Sequence, residues 1–180
     1  MLAEVADAEH ARAAEEGGAE GLVVRGEPSL DDLREATELP ILLCTTGSLE
    51  EIARLGADAC LLVAAGVEDD DDGLLERRYR EAVELGLDTV VEVRDEDELQ
   101  LVLDRVDPEI FLLAAPEGAN GGLEHVLGLL TDVPAGKLAV AALDVRTRDE
   151  VRQLERAGVD AVIVRSADVA SLLGAGARER

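Results

Sequence analysis

A short apolar segment, a turn and an acidic amphipathic segment recur in that order eight times along the chain. The apolar segments are rich in Val, Ile, Leu and Ala and lack the alternation of apolar and polar residues that a half-exposed strand needs. Strands of this kind, separated by helical segments, indicate crossover units and a parallel sheet covered on both faces. The predicted strands are Leu2–Ala6, Glu20–Arg25, Pro40–Thr45, Ala57–Ala64, Thr89–Arg94, Glu109–Ala114, Lys137–Leu143 and Ala161–Arg165.

Eight parallel strands can close on themselves, which removes the exposed edges of the sheet. An open doubly wound sheet is the alternative, but it usually has about six strands and a glycine-rich first turn, and neither feature is present. The sequence therefore predicts an α/β fold, a minimal (β/α)8 TIM barrel. Such barrels typically need about 250 residues, so we assign residues 1–174 to a single barrel and residues 175–180 to a polar C-terminal tail.

Both ends of the sequence lead to expectations. The chain starts directly on its first predicted strand, and little sequence follows the eighth. We therefore expect no N-terminal extension and a short or missing last helix. Apolar surface between the neighbouring helices would then be open, which favours a homo-oligomer.

Capping patterns mark where three of the helices begin. Ser48, Asp95 and Thr147 each stand three residues before a glutamate, an arrangement that satisfies two backbone donors at a helix start. Ser29 and Asp32 form a weaker version of the same pattern. Other helices and some of these are expected to end at glycines suited to left-handed caps, which are Gly17–Gly18, Gly56, Gly86 and Gly158.

The charge of the chain excludes whole classes of partner. It holds 41 Asp and Glu against 17 Lys and Arg, a formal net charge of -24. Such a surface repels nucleic acid phosphates and anionic lipids, so neither nucleic acid nor membrane is expected as a partner. Near-complete loss of lysine in favour of Asp and Glu also motivates the hypothesis of a halophilic protein adapted to high salt, where cations screen the repulsion.

Cysteine use and the N-terminus predict a cytoplasmic protein. Cys44 and Cys60 fall on neighbouring predicted strands and are expected to be reduced, mostly buried thiols. The N-terminus has no basic region, so no signal peptide is expected. No cofactor and no metal site is predicted. The acidic residues 68–72 could gather Mg2+ or Ca2+, but a solvated helix start is the favoured interpretation.

Function in this fold gathers where the strands end and the following loops begin. Glu92 stands out there because it interrupts the apolar strand Val90–Val93. A carboxylate at such a position is either paired or functional. One interpretation is a structural ion pair with Arg94, and the other is a general acid, a general base or a ligand contact.

Basic residues also end several strands. Arg25, Arg94, Arg146 and Arg165 fall on this same face, with Ser166 beside the last of them. Guanidinium groups can hold a phosphate or carboxylate without a glycine loop, so these residues form a candidate anion site. The alternative is that they neutralise the carboxylates Glu4, Asp7, Glu92 and Asp144.

Segment Leu87–Leu99 resembles the fifth βα unit of indole-3-glycerol phosphate synthase, the ring-closing lyase of tryptophan biosynthesis. The likeness extends to Leu39–Leu42, Ala53–Val63 and Ala157–Val164, and so to nearly the whole chain. Carried over residue by residue, it implies that Glu4 and Glu92 occupy the places of two active-site glutamates, the second of them catalytic.

Other positions depart from the family's pattern. The resemblance implies one lysine at Ala6 and another at Cys44 or its neighbour. It implies asparagine and arginine at Ala114 and Pro116. The segment Ala141–Asp144 replaces a Ser-Glu-Ser-Gly, and Arg165 replaces a phosphate-binding glycine.

These departures predict a diverged paralogue, a pseudoenzyme without the usual lyase activity, that binds a small phosphorylated or carboxylated metabolite or a partner protein. The alternative is an active carbon-carbon or ring-closing lyase, or another acid/base enzyme, that uses Glu4 and Glu92. Whether the chain is an enzyme stays open at this point.

Overall fold

The computed structural model describes residues 1–26, 29–45, 47–64, 73–116 and 121–174. Within these residues eight strands pair in chain order and close into one parallel barrel. The strands are β1 (Leu2–Val5), β2 (Gly21–Arg25), β3 (Ile41–Cys44), β4 (Ala59–Val63), β5 (Asp88–Val93), β6 (Ile110–Ala114), β7 (Leu138–Ala142) and β8 (Ala161–Arg165). The helices are α1 (Ala8–Glu16), α2 (Leu30–Ala36), α3 (Leu49–Arg54), α4 (Leu74–Glu84), α5 (Glu96–Arg105), α6 (Gly122–Leu130), α7 (Arg148–Ala157) and α8 (Val169–Leu173). Closure confirms the predicted (β/α)8 barrel.

Several strands end one residue earlier than the sequence predicts, because the last residue of the apolar run turns into the following loop. Arg94 is the clearest case. Its backbone N–H donates to the Glu98 carboxylate at 2.7 Å and so leaves the strand ladder after Val93. The loops that carry the charged side chains therefore begin one residue earlier than the apolar runs alone indicate.

Two apolar layers hold the barrel together, one inside it and one between strands and helices. Successive residues of a strand point to opposite faces, so Val90 joins the inner layer while Val91 lies under the helices. Inside, Val23, Leu42 and Leu112 pack together. Burial of each such side chain stabilises the fold by about 1.5–3 kcal/mol, and it explains why every strand is apolar on both faces.

The predicted helix caps are present. The side chains of Ser48 and Asp95 accept hydrogen bonds from the backbone N–H groups of the glutamates three residues later. Thr147 and Glu150 complete the reciprocal arrangement, since the Glu150 carboxylate also accepts from the Thr147 N–H at 2.9 Å. At the end of α7, Gly158 takes a left-handed conformation with φ of 100°, which an L-residue with a side chain rarely adopts.

The last helix is short, as the sequence predicts. Helix α8 has five residues and follows a 3-10 turn at Ser166–Asp168. A groove of about 210 Å3 lies beside it, lined by Met1, Leu154 and Leu173 among others. The homo-oligomer stays a prediction, and the tail at residues 175–180 lies outside the described residues.

The two cysteines lie on adjacent strands but on opposite faces of the barrel wall. Cys44 packs with the inner layer and Cys60 with the outer one. In the β3–β4 ladder Cys60 is the partner of Leu43, one residue before Cys44. Both cysteines are free thiols. Among the described helices, none has the length and apolar character needed to cross a bilayer.

Candidate functional site

The candidate residues gather at the end of the barrel where the strands terminate, in two separate groups. Glu92 and Arg94, at the end of β5, form what we call the buried pair. We call this end of the barrel the mouth. Residues from the other side of the mouth form what we call the rim cluster. It consists of Glu4, Arg25, Asp144, Arg146 and Arg165, contributed by β1, β2, β8 and the loop after β7.

The buried pair is a close ion pair. Both Nε and Nη2 of Arg94 contact Glu92 Oε1, at 2.8 Å and 2.6 Å. The Glu92 side chain is 11% exposed and that of Arg94 is 37% exposed. The guanidinium thus compensates the cost of placing a carboxylate in the barrel interior. The ion pair between Glu92 and Arg94, one of the two interpretations of Glu92 made from the sequence, is present in the structure.

The backbone of Arg94 is held from two further directions. Its N–H donates to Glu98 Oε2 at 2.7 Å, and its carbonyl accepts from His125 Nε2 at 2.6 Å. Burial raises the pKa of Glu98 above its ordinary value. Glu98 and His125 therefore fix the end of β5. Sequence reasoning identified Glu98 only as a capping residue and missed His125, because α6 meets β5 only in the tertiary structure.

Asp144 links two arginines in the rim cluster. Its Oδ2 accepts from Arg146 Nε at 2.8 Å, and its Oδ1 lies 3.4 Å from Arg165 Nη2. The hydrogen bond from Arg146 holds the pKa of Asp144 below its ordinary value. Asp144 is thus central to the site, although the sequence suggested it only as a strand-end residue.

Glu4 and Arg25 complete the rim cluster. Arg25 Nε lies 3.4 Å from Glu4 Oε1, and both side chains are nearly half exposed. Each of the four arginines selected from the sequence therefore has a carboxylate partner within the described residues, as the neutralisation alternative expects. The distances of 3.4 Å at Arg25 and Arg165 are the longest of these contacts.

A cavity of about 300 Å3, which we call the rim cavity, opens among these side chains. Its lining residues are Glu4, Arg25, Ala142, Leu143, Asp144, Val145, Ile163, Val164 and Arg165. The structure thus brings together three of the seven residues predicted from the sequence: Glu4, Arg25 and Arg165. Glu92, Arg94, Arg146 and Ser166 are not among the residues that line this cavity.

The remaining members of the predicted set have other positions. Arg146 is 74% exposed. Ser166 is buried at the start of the 3-10 turn that precedes α8. The two glutamates predicted to be catalytic are held by different arginines, and only Glu4 lines the rim cavity.

Cys44 lies on the inner face near both groups. Burial raises the pKa of its thiol to about 11, while Arg25 lowers it and Glu92 and Glu4 raise it. The thiol is therefore protonated at neutral pH and is a weak nucleophile. Glu4 is the ladder partner of Val23 and Glu92 that of Leu112, and both partners belong to the inner layer, so both glutamates lie on the inner face of the barrel.

The acidic residues 68–72, considered above as a possible cation site, lie outside the described residues. In the part of the chain that is described, no group of three or more His, Cys, Asp or Glu side chains has the arrangement of a metal site.

Solved structures with the same fold include enzymes of different chemistry. An N-acetylmannosamine-6-phosphate 2-epimerase from Clostridium perfringens matches with a TM-score of 0.72 at 14% identity, over 89% of this chain and 78% of that one. A thiamine phosphate pyrophosphorylase from Pyrococcus furiosus matches with a TM-score of 0.67 at 20% identity, over 94% and 87%. At these identities the likeness shows the fold alone.

Sequence comparison identifies the family. The family model for indole-3-glycerol phosphate synthase matches residues 1–171. The indole-3-glycerol phosphate synthase of Geobacillus thermodenitrificans (strain NG80-2) is 31% identical over 157 residues, which cover 78% of this chain and 57% of that protein. That of Nocardioides sp. (strain ATCC BAA-499 / JS614) is 34% identical over 184 residues, which cover 91% and 67%. The chain spans little more than half the length of the first of these relatives, and it belongs to the indole-3-glycerol phosphate synthase family.

Proposed function

We propose that this chain is a diverged paralogue that does not carry out the family's ring-closing lyase reaction and instead binds a small carboxylated or phosphorylated metabolite in the rim cavity. The single observation that carries this proposal is the position of its only lysine. Lys137 directly precedes β7, at the opposite end of the barrel from Glu92, where it pairs with Asp107 at 2.7 Å and Glu109 at 3.3 Å.

The lyase reaction needs an acid that protonates a carbonyl or a leaving hydroxyl, and the family resemblance implies a lysine ammonium in that role. Ala6 occupies one position where a lysine is implied, and Cys44 or its neighbour occupies the other. The Cys44 thiol is neutral at neutral pH, so it cannot place a positive charge beside a developing oxyanion as an ammonium does. The four arginines at the mouth carry that charge but are poor acids, because a guanidinium holds its proton throughout the physiological range.

The phosphate-binding machinery of such barrels is also altered. It depends on glycine backbone N–H groups and a helix N-terminus after the seventh and eighth strands. Here the loop after β7 begins with Leu143 and Asp144, and β8 ends in Arg165. What remains for an anion is the pair of guanidinium groups that line the cavity, Arg25 and Arg165.

These two arginines can exchange partners at low cost. Their ion pairs are 3.4 Å long and join side chains that are about half exposed or more. Exposed ion pairs contribute little to stability, because water screens them and side-chain entropy opposes them. A bidentate carboxylate or phosphate of a ligand can therefore replace Glu4 or Asp144 as the acceptor.

A direct assay tests the loss of the lyase reaction. With the anthranilate ribulose phosphate substrate and the purified protein, we expect no turnover above background under conditions in which a relative with both lysines is active. Turnover above background that disappears in Glu92→Gln would overturn the proposal.

A second candidate function is an acid/base enzyme that uses Glu4 and Glu92. The observation that favours it is that both glutamates lie on the inner face of the barrel, as ladder partners of Val23 and Leu112. Glu92→Gln separates the two candidates. If the enzyme function is correct, Glu92→Gln lowers the turnover of whichever substrate the wild type converts and changes the melting temperature little. If the pair is purely structural, the substitution changes only the melting temperature.

A further inference from the structure

We infer that the rim cavity selects a small zwitterion, a molecule with one carboxylate and one ammonium group, over phosphates and simple anions. This inference rests on the proposed function, because it takes the rim cavity as the binding site, and it names the class of ligand. It follows from the order of charges around the cavity, from their pairing and from the chemistry of the lining.

Charges alternate in sign around the cavity. In order around the barrel wall, Arg25 on β2 is followed by Glu4 on β1, then by Arg165 on β8 and Asp144 after β7. The two positive and two negative groups sum to zero. A phosphate that reaches either arginine must also face a carboxylate, and this repulsion opposes binding of a dianion. A zwitterion presents an opposite charge to each kind of group.

In the described part of the chain, the pairing leaves one oppositely charged pair of neighbours, on β1 and β8, without an ion pair between them. Glu4 and Arg165 are direct partners in the ladder between these strands. Even so, within the described residues they make no ion pair with each other, because Glu4 pairs with Arg25 and Arg165 pairs with Asp144 and Asp168. A ligand ammonium at Glu4 and a ligand carboxylate at Arg165 would each meet a group of opposite charge.

The remaining lining fits a short aliphatic spacer. Ala142, Leu143 and Ile163 provide apolar surface between the charged groups. The cavity volume of about 300 Å3 lies at the small end of the range for ligand pockets. The ligand class is therefore a small amino acid or ω-amino acid rather than a large sugar phosphate.

Isothermal titration calorimetry at low ionic strength tests this selectivity with probes of matched size. Glycine, β-alanine and 4-aminobutanoate represent zwitterions of increasing length, whereas butanoate, butylamine and inorganic phosphate each carry one sign of charge. We expect at least one zwitterion to bind about tenfold more tightly than every probe with a single sign of charge, a ratio equivalent to about 1.4 kcal/mol.

The possible results distinguish the two proposals. If butanoate or phosphate binds as tightly as the best zwitterion, zwitterion selectivity is wrong but the anion site of the proposed function stands. If none of the six probes binds at millimolar concentration, both are overturned. Tightest binding of butylamine would also overturn both, since it would identify a cation site.

Two variants should change the affinities of the probes in different ways. Arg165→Gln should weaken the binding of both the zwitterion and butanoate. Glu4→Gln should weaken the binding of the zwitterion about tenfold. The same variant should bind butanoate and phosphate more tightly, because it removes the negative charge that repels them. A simple anion site predicts no loss of the zwitterion in Glu4→Gln, and that result would overturn the inference.

Arg152→Gln on α7 is the matched control for the loss of an arginine. Arg152 is 60% exposed and pairs with Asp149 within its own helix, away from the rim cavity, so binding of every probe should be unchanged. Equal melting temperatures of the wild type and each variant, measured in the same buffer, exclude unfolding as the cause of lost binding.

Discussion

The buried pair and the rim cluster use the same chemistry, a guanidinium against a carboxylate, in two different environments. Glu92 is 11% exposed and contacts Arg94 at 2.6 Å, whereas Glu4 is 43% exposed and lies 3.4 Å from Arg25. In the interior, a carboxylate that loses its partner has no water to replace it. At the rim, water or a ligand can take the place of either partner. Burial therefore distinguishes the enclosed carboxylate of Glu92 from the half-exposed carboxylate of Glu4.

The largest expected effect concerns Cys44, whose thiol lies between the two groups. Burial raises the pKa of this thiol to about 11 from an ordinary value of 9.0, so its thiolate fraction near pH 8 falls about 100-fold. We expect alkylation by iodoacetamide at pH 8 to be slower than that of a free cysteine by at least this factor, and to accelerate as the pH rises towards 11.

Cys60 provides the comparison within the same molecule. Its pKa is also about 11 by burial, and it is fully buried, so it should react more slowly still. Cys44→Ser and Cys60→Ser, each prepared alone, assign the two rates by mass spectrometry. Reaction of Cys44 at the rate of a free cysteine would mean that the mouth is wetter than the structure indicates, and it would weaken the contrast between the two regions.

The next effect is on the stability of the buried pair. Arg94→Met removes the guanidinium and leaves the Glu92 carboxylate in the interior. We expect a loss of about 2 kcal/mol in the free energy of unfolding, less than for a fully enclosed pair because Arg94 is partly exposed. Urea denaturation measures it.

A second substitution shows whether the cost comes from the unpaired charge. In the double variant Glu92→Leu with Arg94→Met no buried charge remains, and we expect most of the lost stability to return. If the double variant is less stable than Arg94→Met alone, Glu92 has stabilising partners other than Arg94, and the comparison must be redrawn.

The smallest effect is expected at the rim. Asp144→Asn should change the melting temperature by less than about 2 °C, because exposed ion pairs contribute little. The pKa of Asp144 is held below its ordinary value by Arg146. A depressed pKa contributes stability above the unfolded value of 3.8 that is lost as the pH falls through the folded value. The small difference between wild type and Asp144→Asn should therefore be complete at pH 7 and vanish in acid.

Added KCl sharpens the same contrast. The Debye length falls from about 10 Å at 0.1 M salt to about 3 Å at 1 M. In 1 M KCl we expect the difference in melting temperature due to Asp144→Asn to disappear and the loss of stability due to Arg94→Met to persist.

We also expect the wild type, with its net charge of -24, to melt at a higher temperature in 1 M KCl than in 0.1 M KCl. Equal melting temperatures at both salt concentrations would remove the hypothesis of a protein adapted to high salt.

Much of the fold could be predicted because its signals are local. Apolar runs mark the strands, and the Ser48, Asp95 and Thr147 caps mark the starts of α3, α5 and α7, where the structure contains them. Strand ends were less predictable. The apolar run that precedes Arg94 gave no sign that the backbone would turn towards Glu98. The hydrogen bond from the Arg94 N–H to the Glu98 carboxylate can replace a strand hydrogen bond only once α5 has brought Glu98 close to Arg94.

The candidate site could be predicted only as a set of strand ends. The resemblance pointed to Glu4 and Glu92 together, but only Glu4 lines the rim cavity. His125 contacts Arg94 across 31 positions of sequence, and no local pattern signals such a contact. Asp144 joins Arg146 and Arg165 because the loop after β7 meets the end of β8. That proximity exists only after the barrel has closed.

The sequence by itself determined the barrel, its acidic surface and the absence of any lysine other than Lys137, because these depend on residue type and periodicity. Only the tertiary structure decided how the charges at the mouth are paired. Pairing depends on burial and on distances of a few ångströms between side chains, so the same two residue types form a close, buried pair at Glu92 and Arg94 and a longer, half-exposed pair at Glu4 and Arg25.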